Sequence, residues 1–264
     1  MNPELYFAFT LIVRMAVTAA FLLAATVTAE RAGPLIGGLV ATLPISAGPI
    51  YIFLAIDHGA HFIGESALGS LVGNAINVVF ALAYALLAQK RSLPASLSGA
   101  FVLWLGLTWL TNQTIWTLPA AVALNVVVLA AALWLTASLR HVRSPRVVAR
   151  WHDLVMRAVM VALLVGTVVT LSYHIGPMVS GNLAVFPIVL SSIIVILHRR
   201  VGGPATAAVM ANAIIGLGGF GVACIFLNLT ADWLGAALAL VLTLAVSFGC
   251  NLLVFAARNR LAQA

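Results

Sequence analysis

Nine runs of mainly apolar residues dominate the sequence, at about 6–28, 34–56, 64–88, 96–115, 118–138, 154–174, 177–197, 204–227 and 232–255. Each is close to the ~20 residues an α-helix needs to cross ~30 Å of hydrocarbon. Runs of this length exclude a membrane β-barrel, whose strands alternate in polarity over ~10 residues. Charged residues make up 7% of the chain and mean hydropathy is +1.15. Ordinary globular chains carry ~25% charge, and so few charges cannot clothe a soluble surface. A cytosolic enzyme, a nucleic-acid domain and a disordered chain are therefore excluded. The expected fold is an all-α membrane protein of nine transmembrane helices. Cys224 and Cys250 lie inside apolar runs and read as small packing groups. Met1-Asn2-Pro3-Glu4 lacks a basic stretch, so no cleavable signal peptide is expected.

Basic residues give the orientation. Lys and Arg fall in the connections after runs 1, 3, 5, 7 and 9, and none falls after runs 2, 4, 6 and 8. Positive charge stays cytoplasmic, so the N-terminus is expected outside and the C-terminus inside. The 13 Lys and Arg against 6 Asp and Glu thus report topology rather than nucleic-acid binding. Arg140, Arg143, Arg146 and Arg150 read as a topogenic loop, with an interfacial helix on anionic head groups as the alternative. The Arg-over-Lys and Ala/Val/Leu bias suggests a bacterial chain and an inner-membrane, multi-pass location.

The sequence also repeats itself. Leu11-Ile12-Val13-Arg14 leads to Gly33-Pro34, Gly38, Ala41 and Pro44. Leu154-Val155-Met156-Arg157 leads to Gly176-Pro177, Gly181, Ala184 and Pro187 at a constant offset of 143 residues. After a short gap, Asn74-Ala75-Ile76 aligns with Asn212-Ala213-Ile214. Runs 1–4 therefore correspond to runs 6–9, and run 5 inverts the second copy. The expected organisation is a first four-span repeat over 1–115, a linking span and basic cytoplasmic loop over 116–152, and a second, inverted four-span repeat over 153–264. Inverted-topology repeats are the architecture of many secondary transporters.

The first unit resembles the GlpM family of small four-span bacterial membrane proteins. The resemblance rests on Gly38-Leu39-Val40-Ala41-Thr42-Leu43-Pro44, the polar connection with Glu65, Arg91-Ser92-Leu93-Pro94, and the Ser98-Gly99 span with Trp104 and Trp109. It covers roughly residues 8–115. The second unit keeps the Gly-Pro and Phe-Pro elements but not the Leu-Pro turn. The resemblance implies a single unit that paired with an inverted copy and was later fused to it through run 5.

Depth arithmetic selects the candidate site. Gly33 and Pro44 are eleven residues apart, about 15 Å along a helix and half of the core thickness. Pro187 lies equally deep from the other side, and Asn74 and Asn212 sit about ten and nine residues into their runs. Proline leaves a carbonyl four residues back without its helical donor, here Val40 and Leu183. Gly38 and Gly181 allow close approach, and Asn77 and Asn182 add carboxamides. The alternatives for these residues are packing kinks and interhelical hydrogen bonds. Arg14 and Arg157, with no carboxylate deep in a span to meet them, read as an anion path or as helix-end snorkelling. Asp57, His58, His61 and Glu65 read as a solvated outer turn, with Asp57 and Glu65 the candidates for a gating or proton-linked role. No metal site, cofactor, nucleophile–base pair or enzyme motif is expected.

The expectation is a secondary-transporter-like protein moving a small, anionic solute or lipid by alternating access, not an enzyme. The alternative is a non-transporting accessory or scaffold protein that binds anionic lipid in envelope-polymer assembly. Expected partners are membrane lipids, a small-molecule solute and, in a homo-oligomer, further copies of the chain, with no nucleic acid.

Overall fold

The computed structural model describes residues 3–31, 47–141 and 150–261, and every regular element among them is helical. The helices are α1 (Pro3–Arg31), α2 (Ala47–Leu87), α3 (Leu93–Thr111), α4 (Leu118–Leu135), a 3₁₀ turn (Ala137–His141), α5 (Trp151–Ala184), α6 (Ile188–Val201), α7 (Gly203–Leu234) and α8 (Ala236–Leu261). Pro44 and Gly38, with the rest of the Gly-Pro and Leu-Pro motif of the first unit, lie outside the described residues.

Seven stretches are long and apolar enough to cross a membrane: Leu5–Ala25, Ala47–Leu87, Leu93–Thr111, Leu118–Leu135, Trp151–Val201, Gly203–Leu234 and Ala236–Val254. The chain is a multi-pass helical membrane protein in composition and form. Leu5, Phe9, Ile12, Val102, Trp109 and Trp134 stand exposed on the outer helices, an arrangement suited to hydrocarbon rather than water. Two stretches are far longer than a single crossing, at 41 and 51 residues.

The long stretches are not straight rods. Gly59 interrupts α2 with φ 84° and ψ −171°, and Gly176 interrupts α5 with φ 74° and ψ 174°. Gly202, between α6 and α7, has φ 83° and ψ 170°. Only glycine enters this region without strain, so the chain turns where these residues stand. Ser92, just outside α3, is extended, and prolines in the first turns of α3, α4 and α7 sit where no helical donor is needed.

The central element is α2, which supplies Leu54, Ile63, Leu71, Val72, Phe80 and Tyr84, all fully or almost fully buried. Beyond Gly59 it runs antiparallel to α7. Gly203 abuts the Ala88 carbonyl, Asn74 bonds to Leu217, and Gly64 meets Ala231 and Asn228. Glycines at these crossings let the backbones close up, which is how helices associate where no hydrophobic driving force exists between them. α5 packs on the other side of α2, α1 packs on α5, and α8 on α7.

Candidate functional site

The site forms where the α5–α6 break meets α2. Beyond Gly176, α5 continues as a short arm, Pro177–Ala184, and Val185-Phe186-Pro187 separates it from α6. Proline cannot donate a backbone hydrogen bond, so the break falls beside Pro187. The Leu183 carbonyl, expected to be freed, is in fact taken up. The Phe186 N–H donates to it at 3.0 Å, and the Val185 N–H also turns to it. Tightening into a 3₁₀ turn is the ordinary way for a helix end to satisfy its own carbonyls. The Val185 N–H is thereby diverted from Gly181, and α2 supplies donors at both places. Ser70 Oγ–H donates to the Gly181 carbonyl at 2.6 Å, and Asn77 Nδ2 donates to the Val185 carbonyl at 2.6 Å. Ser70 and Asn77 lie seven residues apart, two turns along one helix face.

Both donors are held in place. The Tyr51 hydroxyl donates to Ser70 Oγ at 2.7 Å, and Trp104 Nε1 donates to Asn77 Oδ1 at 2.9 Å. The Trp104 ring also meets Phe186 edge-on at 4.9 Å, inside the break. The arm lies against α2 at backbone distance. A Cβ on Gly69 would overlap the Met178 carbonyl, one on Gly181 the Ser66 carbonyl, and one on Gly73 the Asn182 side chain.

Asn74, the residue that aligns with Asn212 across the repeat, bonds to α4 and α7. Its Nδ2 donates to Asn125 Oδ1 at 2.9 Å and to the Leu217 carbonyl at 3.0 Å. Asn125 Nδ2 in turn donates to the Leu71 and Ala121 carbonyls. Asn212, half-buried, donates to Ala208 in its own helix and makes a further interaction. The structure thus gathers Asn74, Asn77, Gly181, Asn182 and Pro187 into one seam, while Asn212 sits elsewhere on α7.

Three oxygens of this region lack a hydrogen-bond partner: Ser66 Oγ, Asn74 Oδ1 and Asn182 Oδ1. Their residues are 0%, 2% and 2% exposed. A buried acceptor without a donor costs about 1–3 kcal/mol, and such groups in native proteins are rare. The seam itself is closed. A cavity of about 70 Å³ lies to one side, among Tyr51, Phe220, Cys224, Leu227, Leu240 and Thr243, and a more open one of about 410 Å³ lies between Ile52, Ile56, Ala237 and Val241; both are almost wholly apolar.

The charges depart from expectation. Arg14 is not unpaired: its guanidinium makes a two-pronged ion pair with Asp57, at 2.5 and 2.6 Å, and lies over the Phe53 ring. Asp57 had read as part of a solvated turn, yet its side chain is 6% exposed. The bend at Gly59, two residues on, lets the end of the first α2 arm lean on α1. Arg157 Nε donates to Ser192 Oγ at 3.2 Å and makes a further interaction. Asp153 instead meets Arg200 at 2.5 Å, and also accepts the Arg150 N–H at the start of α5. Glu65 is half-exposed and faces His61, which also approaches Asp232 at 3.3 Å. His58 lies 2.8 Å from Ser172 and stacks on Phe62. Among the described residues, no three His, Cys, Asp or Glu gather as metal ligands would.

No family model, curated protein or solved structure matches the chain.

Proposed function

We propose that the chain is a nine-span protein of the bacterial inner membrane, N-terminus outside and C-terminus inside. In this reading two inverted four-span units, 1–115 and 153–264, are joined by the linking segment 116–152. Each long broken stretch joins two runs, the end of run 2 and nearly all of run 3 in Ala47–Leu87, and runs 6 and 7 in Trp151–Val201. The antiparallel α2–α7 pair is what a two-fold axis in the membrane plane requires of the third spans of the two units. The matched bends at Gly59 and Gly202, one repeat offset apart, favour the same arrangement. A GlpM-like unit fused to its own inverted copy accounts for both.

On that scaffold the chain works as a secondary-transporter-like protein, seen here with its centre closed. The observation that carries this reading is two unpartnered carboxamide acceptors, Asn74 Oδ1 and Asn182 Oδ1, and the unpartnered Ser66 hydroxyl, beside a broken helix whose carbonyls are held by side chains. Broken helices near the midplane mark transport sites, and orphaned acceptors gain most when a donor arrives. The solute or lipid head group is therefore one that offers hydrogen-bond donors. An anionic solute loses its main support, because Arg14 is neutralised by Asp57. Membrane lipids are the expected surroundings and further copies of the chain the expected protein partners. No catalytic role follows from these groups.

The close packing of Gly69, Gly73 and Gly181 favours a second reading, a non-transporting scaffold that binds anionic lipid. Proteoliposomes separate the two. Uptake of a panel of labelled amino acids, sugars, amines and carboxylates, together with scrambling of a fluorescent phospholipid, is compared with empty liposomes. At least one class is expected to move faster, and to lose ten-fold or more in Asn74→Ala/Asn182→Ala. Transport of none, or an unchanged double variant, would favour the scaffold.

A further inference from the structure

Two carboxylates have side chains buried among the described residues: Asp57, 6% exposed, and Asp153, 9% exposed. Glu65 and Asp232 are half-exposed or more. Each buried carboxylate holds an arginine. Arg14 on α1 meets Asp57 at the end of the first α2 arm, and Asp153 at the start of α5 meets Arg200 at the end of α6. Asp57 and Arg200 are 143 residues apart, the repeat offset, and each stands two residues before a glycine of positive φ, Gly59 and Gly202. The two ion pairs therefore join corresponding helices with the charges exchanged. In the first the basic residue is on the leading helix; in the second it is on the following one. Asp153, the carboxylate of the second pair, stands one turn before Arg157, the repeat mate of Arg14.

We propose that these ion pairs are matched gates, Arg14–Asp57 at the outer face and Asp153–Arg200 at the inner face, which open alternately to admit solute to the seam at Asn74 and Asn182. The inference rests on the inverted-repeat reading above. A partly buried ion pair suits such a device. The attraction between its charges is largely offset by the water they give up, so the closed and the open, hydrated states lie close in free energy. The inner gate keeps a partner when it opens, because Asp153 still accepts the Arg150 N–H. The bends at Gly59 and Gly202 are where the arm that carries the gate can swing. Leu54, fully buried, stands one turn before Asp57 on α2, and Ile194, also fully buried, precedes Arg200 on α6.

The test uses the full chain in membrane vesicles, in a Cys224→Ala/Cys250→Ala background, with Leu54→Cys or Ile194→Cys as a reporter and a membrane-impermeant maleimide as the probe. Asp57→Asn is expected to raise labelling of Leu54→Cys from outside at least ten-fold. It is also expected to lower labelling of Ile194→Cys from the cytoplasmic side. Asp153→Asn does the reverse, and the exchange Arg14→Asp/Asp57→Arg returns both rates towards the parent. If Asp57→Asn does not reach the membrane, Arg14→Lys, which keeps the charge but loses the two-pronged bond, gives the same pattern at smaller amplitude. Labelling that rises only beside the altered pair, with the far reporter unchanged, overturns the coupled gates and leaves the inverted repeat standing. Labelling of both reporters from one face overturns the inverted repeat itself.

Discussion

Asn77→Ala isolates the contacts that hold the helix break together. The change removes the donor to the Val185 carbonyl and the acceptor of the Trp104 indole N–H. Trp104 is 2% exposed and Val185 8%, so water does not readily replace the lost carboxamide. Each orphaned group costs about 1–3 kcal/mol, which gives a loss of about 2–6 kcal/mol. An ordinary interhelical hydrogen bond in a membrane protein is worth only about 0.6 kcal/mol. The size of the effect therefore separates a clamp on a broken helix from ordinary interhelical bonding. Reversible unfolding in mixed micelles, followed by tryptophan fluorescence, measures it. Trp104→Phe should remove only part of the loss, and the double variant should cost less than the two single changes together. A loss below about 1 kcal/mol for Asn77→Ala, or one no larger than that of Asn212→Ala, would refute the reasoning.

Further outcomes follow from the same contacts. Gly181→Ala drives a methyl into the Ser66 carbonyl and is expected to destabilise by about 1–3 kcal/mol, as overpacking does. Gly59→Ala meets no atom, so its loss in micelle unfolding, about 1–3 kcal/mol, is that of a backbone region open to glycine alone; no measurable loss would mean that the bend does not form. Neutralising Arg14 or Asp57 singly is expected to cost about 3–5 kcal/mol, because it strands the partner charge. Exchanging the two residues should recover most of it, and a silent Arg14→Gln would mean that the pair does not form in the membrane.

What could be read in the sequence follows from how local each feature is. The apolar runs, the turns near Gly59, Gly176 and Gly202, and the break beside Pro187 depend on composition and backbone chemistry alone, and the structure places helices and bends there. Asn182 is legible as a polar group beside the break at Pro187, whereas Asn77 is legible only as a polar group at depth, since Asn77 and Val185 are 108 residues apart. The Leu183 carbonyl does lose its α-helical donor to Pro187, and the chain satisfies it locally by tightening into a 3₁₀ turn, a partner that the spacing alone does not specify. Arg14 was read as lacking a partner because Asp57, 43 residues on, sits at the end of an apolar run where a solvated turn was the natural assignment. Asn125 was missed altogether. Its one signal was a single carboxamide in an otherwise apolar run, and it lay in the segment with no counterpart in the repeat. The correspondence of Asn74 with Asn212 is a matter of alignment, whereas the partners of Asn74 follow from which face of α7 meets α2.

Orientation of the two units is the claim on which the account depends, and surface labelling of two positions tests it most directly. His61, after the first positive-φ bend, and Arg199, before the corresponding one, are both exposed. In intact cells, His61→Cys should react with an impermeant maleimide, while Arg199→Cys should react only after the membrane is permeabilised. Reaction of both from the same side would contradict the inverted arrangement.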